Sequence, residues 1–239
     1  MSGAKQCFAF RASLRCSKYV YVNNIIDNIP NKHMVEQNYH MLKMVLPNLK
    51  VYDLESSMWG VKKNSKNGLL KVSISLGASC NSRHWSIRNY AILLHKLYDI
   101  KKFELILIGA ANDKPFFNDF IKEINIIYED CVGKIGIFDT IKKLKESSLH
   151  FGNDSGPIHM AAAAGVPVVE FTSHSHSSLD FGSPVYFYPY GVPYLICQPD
   201  EQLETCESGC QKRYPHCINE IDRNKAIEDS TKFYMRLLT

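Results

Sequence analysis

The sequence predicts an α/β fold, a doubly wound parallel sheet, and three observations carry that prediction. Short apolar stretches that read as strands alternate with helical patterns across residues 70–171, the rhythm that parallel crossover units produce. The strands read as apolar on both faces, as strands covered by helices on each side must be. The third observation is the run LHFGNDSGPIHMAAAAGVPVVEF at 149–171, which holds a strand, a polar turn, a helix and a second strand. Pro157 suits a first helical position, because its fixed φ is already helical and its missing N–H would be unpaired there. Ala161–Ala164 make a narrow helix of high propensity, and Gly165 with Pro167 stops it. The turn Asp154-Ser155-Gly156 thus lies where free backbone N–H groups and the positive end of a helix dipole point outward. Such a place favours an anion, most often phosphate. An ordinary crossover whose Asp and Ser cap the helix fits this stretch equally well.

Taken in order, residues 18–29 read as one strand on the β-branched run Tyr19-Val20-Tyr21-Val22, followed by Asn-rich turn material ending at Pro30. Val35, Tyr39, Leu42 and Leu46 recur at helical spacing over 33–46, and Pro47 ends that helix. Asn64-Ser65-Lys66-Asn67-Gly68 is the clearest linker signal. It divides the chain into a partial N-terminal unit, 1–63, and a larger unit, 64–239. The second unit is expected to hold strands at 70–76, 103–108, 131–135, 149–152 and 168–171, with helices at 87–98, 114–127, 139–146 and through the alanines. The crossovers are expected to be right-handed. Beyond Thr172 the chain is richer in Pro, Tyr and Cys and finishes with a helix at 221–238.

Composition narrows the function. Hydrophobic residues make up 45% and charged residues 22%, as in an ordinary globular protein. Lys+Arg 28 against Asp+Glu 24 leaves +4, too small an excess to argue for nucleic acid. No apolar run is long enough to span a membrane. The first 26 residues hold Lys5, Arg11, Arg15 and Lys18 and no acid, a faint transit-peptide pattern, but the apolar stretch at 7–10 is too short for a secretory core. A reducing cytoplasm is therefore the expected compartment. Of the 8 cysteines, Cys197, Cys206, Cys210 and Cys217 cluster beside His216 without paired C-x2-C knuckles. Reduced thiols packing a C-terminal segment are the expectation, with a metal or a disulfide pair as alternatives.

In an open α/β sheet, ligands bind outside the carboxyl ends of the strands. The unusual residues fall on those loops: Gly77 to Trp85 with Arg83, Gly109-Ala110-Ala111-Asn112-Asp113, Gly133-Lys134-Ile135-Gly136, Asn153 to His159, and Thr172 to His176. One edge gathers a cation, a carboxylate, an apolar wall and a helix N-terminus, a set that suits a nucleotide diphosphate. Each residue has a structural alternative. Arg83 would be a solvated loop residue, Trp85 a core anchor, Asp113 a helix cap and His159 a packed histidine. His174-x-His176 has no evident third ligand, so no metal is expected. There is no G-x-G-x-x-G, no G-x-x-x-x-G-K-[ST] and no D-x-D, which argues against a nicotinamide site, a P-loop and a metal-bridged nucleotide sugar.

G-A-S-x5-W in the first loop, G-x3-D in the second and above all G-N-D-S-G-P-I-H-M-A-A-A-A-G-V-P-V-V resemble glycosyltransferase family 9, the ADP-heptose lipopolysaccharide heptosyltransferases. The resemblance covers about residues 70–235, including the Cys206-x3-Cys210-x6-Cys217-Ile218 tail. It implies the GT-B architecture, two Rossmann-like domains with the C-terminal one binding the nucleotide sugar. Carried over by position, Asp154, Ser155 and Gly156 would hold the diphosphate and the nearby sugar. Arg83 matches a basic residue, usually Lys, that neutralises the departing diphosphate. Asp113 matches an acid that binds the ribose hydroxyls, though it is shorter than the Glu often found there. Ile135 matches the residue against which adenine packs, and His159 is expected near the sugar or supporting the turn. The implied reaction moves a heptose or related sugar from an ADP-sugar to a lipid A–core acceptor without a cofactor or metal, with peripheral association at the inner membrane face.

The sequence departs from the family before Asn64. Nothing there matches the Gly-rich opening or the aspartate that serves as general base, and Asp27 and Asp53 are not in that context. Residues 1–60 resemble the last part of such a domain. The acceptor half is therefore expected to be truncated, with the base supplied by another chain or the protein acting as a nucleotide-sugar-binding remnant.

Overall fold

The structure, a computed structural model, describes residues 8–10, 24–27, 29–48, 69–78, 81–173, 184–201 and 216–239. Near the N-terminus β1 (Phe8–Phe10) pairs in parallel with β2 (Asn24–Ile26). Helix α1 (Met34–Val45) follows. The larger unit then runs β3 (Leu70–Ser75), α2 (Ile87–Ile100), β4 (Phe103–Leu107), α3 (Lys114–Glu123), β5 (Tyr128–Asp130), α4 (Ile137–Leu144), β6 (Leu149–Asn153), α5 (Gly156–Ala163), β7 (Val168–Phe171), α6 (Pro184–Phe187), β8 (Tyr194–Cys197) and α7 (Arg223–Leu238).

The 6 strands β3 to β8 form one sheet in the order β5-β4-β3-β6-β7-β8, with every pair parallel. The chain starts in the middle, works to one edge and returns to fill the other. The order reverses between β3 and β6, which opens a crevice at their C-terminal ends. This is the predicted doubly wound, Rossmann-like sheet. One core joins Val72, Ile74, Leu105, Phe151, Val169 and Phe171 to residues of α2, α3 and α7. The other joins Ile106, Ile108 and Val168 to residues of α4 and α5. The alanine helix lies close on its strands as its narrow section allows, with Ile158, Ala161 and Ala162 buried. It ends in a double closure, the Gly165 N–H on the Ala162 carbonyl at 2.9 Å and the Val166 N–H on the Ala161 carbonyl at 3.0 Å. Gly165 stands at φ 76°, which favours glycine.

Several expectations shift. The strand β2 falls on 24–26, within residues read as turn material, while the β-branched run at 19–22 lies outside the described residues. The third strand of the larger unit is at Tyr128–Asp130, ahead of the apolar run at 131–135. Pairing in register with Leu105–Leu107 selects it as a short edge strand, and Cys131 and Val132 are buried just beyond it. β8 was not foreseen, and α3 ends at Glu123. The strands are not apolar on both faces throughout. The face under α5 carries a polar row, Ser73, Ser75, His150 and Glu170, all buried. His150 stands between the two serines, its Nδ1 2.8 Å from Ser73 Oγ and its Nε2 3.1 Å from Ser75 Oγ, so these three are tolerated because they bond to one another.

The linker at 64–68, His174, His176, Cys206 and Cys210 lie outside the described residues. Cys131 and Cys197 are buried free thiols, and Cys217 is buried as well. No helix among the described residues is long and apolar enough to cross a membrane.

Candidate functional site

The crevice at the strand-order reversal is a cleft of about 520 Å³. Its lining comes from four loops: Gly77 and Ala78 after β3, Gly109, Ala110, Asn112 and Asp113 after β4, Ile135 and Ile137 before and in α4, and Ser155, Pro157 and Met160 from the turn and α5. Ile108 and Thr140 complete it.

Each wall has a local cause. Asp113 does not cap α3 with its side chain; its Oδ2 instead accepts the Ala110 N–H at 2.8 Å. The carboxyl therefore folds back over the first loop, where a Cβ on Gly77 would collide with it. Gly77 is needed for that close approach. Gly133, at φ 64°, brings the third loop against Ala111 and donates its N–H to the Gly109 carbonyl at 2.9 Å. At α5 the N-cap Ser155 makes no side-chain cap bond, because its Oγ donates to the Asn153 carbonyl at 3.0 Å. The first turn of α5 thus presents its positive end without a side chain across it.

The predicted residues fall into two groups. Asp113, Ile135 and Ser155 line the cleft together. Arg83 and Asp154 stand apart as an ion pair, Nη1 to Oδ2 at 3.1 Å, tying the 3₁₀ turn Asn81–Arg83 to the turn before α5. Gly156 is exposed at the start of α5. His159, one turn in, is half-buried; burial pulls its pKa down and the nearby Asp154 opposes that. Trp85 proves to be a core anchor, 2% exposed and stacked on Phe171 at 3.9 Å.

Several residues that hold the site were not foreseen. Asn153, fully buried, accepts the Trp85 N–H at 3.0 Å and the Tyr90 hydroxyl at 2.9 Å through Oδ1, and donates through Nδ2 to the Leu76 carbonyl at 2.7 Å. It locks the first loop to the turn before α5. His33 caps α1 by accepting the Val35 N–H on Nδ1 at 3.1 Å, while Nε2 donates to the Tyr188 carbonyl at 2.9 Å. Its ring packs on Tyr188 and Tyr190, and its pKa is pulled down by burial and, to a lesser degree, by His159. The start of the N-terminal helix is thereby tied to Tyr188 and Tyr190, just beyond α6. Thr140, Ile137 and Met160 also line the cleft, and Met160 was legible as the residue three after Pro157 on one helix face. Among the described residues no group of three His, Cys, Asp or Glu is placed to hold a metal ion.

The profile of glycosyltransferase family 9 (heptosyltransferase) matches residues 1–211. The chain belongs to that family. The match begins at residue 1, well ahead of the loop motifs, so the N-terminal segment is family sequence too. No curated protein matches the chain significantly in sequence. Among solved structures, E. coli ADP-heptose lps heptosyltransferase II aligns with TM-score 0.66 at 19% identity, over 99% of this chain and 72% of that one. The glycosyl transferase family 9 structure from Veillonella parvula DSM 2008 aligns with TM-score 0.66 at 13% identity, over 90% of this chain and 64% of that one. E. coli heptosyltransferase WaaC with ADP aligns with TM-score 0.58 at 12% identity, over 89% and 60%. At these identities the likeness is one of fold. The family 9 chain described here spans 60% to 72% of the length of these three structures.

Proposed function

We propose that this chain binds an ADP-sugar at the C-terminal edge of its six-stranded sheet and moves the heptose, or a related sugar, to a lipopolysaccharide core acceptor. The observation that carries this reading is the cleft at the strand-order reversal, with the open first turn of α5 on one side and the Asp113 carboxyl on another. Its volume suits a ligand of nucleotide size. Ser155 and Gly156 offer backbone amides to the diphosphate, and Arg83 neutralises it from its seat on Asp154. Asp113 keeps its second carboxylate oxygen for the ribose hydroxyls, Ile135 packs against the base, and His159 supports the turn beside the sugar.

In this reaction an acceptor hydroxyl attacks the anomeric carbon, and the bond from that carbon to the diphosphate oxygen breaks. ADP leaves with the bonding pair, and the hydroxyl proton passes to a base. Arg83 and the α5 N-terminus stabilise the leaving charge, which a metal would otherwise do. Residues 64–239 form the donor-binding unit and 1–63 the acceptor side, working in the cytoplasm at the inner face of the membrane.

A second reading is a donor-binding unit that draws its base from another chain. Asp27 and Glu36 are the acids of the described N-terminal segment; Glu36 is engaged by Lys32 at 3.3 Å and by the Tyr190 hydroxyl at 3.4 Å, and Asp27 is exposed at the end of β2. Calorimetry with ADP and ADP-heptose tests the donor site: Asp154→Ala and Arg83→Ala are each expected to weaken binding about tenfold, the weight of one charge-assisted hydrogen bond. Unchanged affinity in both overturns the assignment. A transfer assay with lipid A–core acceptors then separates the two readings, since a binding unit alone takes up donor without turnover.

A further inference from the structure

Glu170 is a buried carboxyl that the donor site, as read above, leaves unused. It stands at the C-terminal end of β7, directly across from Gly152 of β6 and on the face covered by α5, 3% exposed. Its Oε2 has no hydrogen-bond partner. Two residues beyond Gly152 the chain reaches Asp154, whose partner is Arg83. Both charges act on Glu170, Asp154 raising its pKa and Arg83 lowering it. The other titratable groups coupled to it among the described residues are Cys197 on β8 and Tyr90 on α2, whose thiol and phenol are themselves pushed up by burial. From α5, His159 faces the same cluster, its pKa pulled down by burial and raised by Asp154. Asp154 therefore holds the guanidinium beside the turn before α5, while the buried Glu170 carboxyl, one strand over, is incompletely bonded and feels both charges.

We propose that Glu170 is a positioning residue for the donor turn: its neutral acid leaves Asp154 as the single carboxylate on Arg83, and its ionisation draws Arg83 away from an incoming diphosphate. This rests on the donor-site reading above. Burial pushes the carboxyl up to about 8, so at neutral pH the three groups carry one negative and one positive charge. Loss of the Glu170 proton adds an uncompensated negative charge beside the anion-binding turn, and the same charge competes for the guanidinium.

The test is ADP binding to the full chain by calorimetry, for the wild type and Glu170→Gln, across the range from neutral pH to well above the carboxyl's value of about 8. Wild-type affinity is expected to fall about tenfold more than that of the Gln variant over this range, the effect of one extra charge at short range in a partly screened site. Parallel curves for the two proteins overturn the role of Glu170 and leave the donor site standing. No ADP binding by the wild type at any pH overturns the donor reading, and this role with it. Thermal unfolding gives a ligand-free check. Between pH 4.5 and about 8 the folded chain retains a proton at residue 170 that the unfolded chain has lost, so the advantage of Glu170→Gln in Tm must widen with pH. A constant difference also overturns the proposal. Glu170→Met, which likewise cannot ionise, serves where the Gln variant folds poorly.

Discussion

His150 and Glu170 stand on the same face of the same sheet, on neighbouring strands, and are solvated by the protein in opposite ways. His150, in mid-strand, has a serine hydroxyl on each ring nitrogen. Glu170, at the carboxyl end, has an oxygen with no partner. Burial drives the first down to about 3 and the second up to about 8, in both cases because it penalises the charged form. Inside the sheet, polar groups are satisfied by other parts of the chain, since nothing else will reach them. At the edge where strand order reverses, charges are left part-used. The first region is organised for stability and the second, on the function proposed above, for a ligand.

The strongest way to break this contrast is to remove a satisfied interior group. Asn153→Ala strips the partners from the Trp85 N–H, the Tyr90 hydroxyl and the Leu76 carbonyl, and is expected to cost about 3 kcal/mol or more in urea unfolding. A loss below about 1 kcal/mol would place Asn153 with the dispensable surface residues.

Next comes the dependence of stability on pH, where the two buried groups have opposite signs. From pH 6.5 down to about 3 the unfolded chain binds a proton at residue 150 that the folded chain refuses, so His150 makes stability fall with acidity. The slope is about 1.4 kcal/mol per pH unit. Glu170 makes stability fall as pH rises from 4.5 to about 8, and the two slopes cancel where the windows overlap. His150→Asn should remove the acid-side loss, and an unchanged profile would contradict the assignment. At the rim, Arg83→Ala should shift stability by no more than about 0.5 kcal/mol, as for other partly exposed ion pairs, even though it weakens ADP binding. The smallest effect expected is none: EDTA should leave ADP affinity unchanged, and a strict need for Mg²⁺ would contradict a leaving group stabilised by Arg83 and α5.

Much of the fold was legible because its signals are local. Pro157, the alanines and Gly165 dictate α5 within one stretch, and the apolar strands flanking it leave little freedom of register. The edge strands β5 and β8 were misplaced or missed, because an exposed three- or four-residue strand is selected by its neighbour's hydrogen bonds more than by its own side chains. The site behaved in the same way. That Asp113, Ile135 and Ser155 lie on loops at one edge follows from strand and helix order, and the cleft gathers those three. That Arg83 sits on Asp154, that Asn153 binds three groups from the chain near β3, and that His33 ties the start of α1 to Tyr188 are contacts between distant residues.

By itself, the sequence determined most of the helices, the parallel α/β alternation and the polar turn that opens α5, since propensity, capping and periodicity act over a few residues. Only the tertiary structure decided which polar groups would be paired. A buried group's partners come from strands and loops far along the chain, and whether His150 or Glu170 is satisfied depends on where the sheet places it relative to the ligand edge.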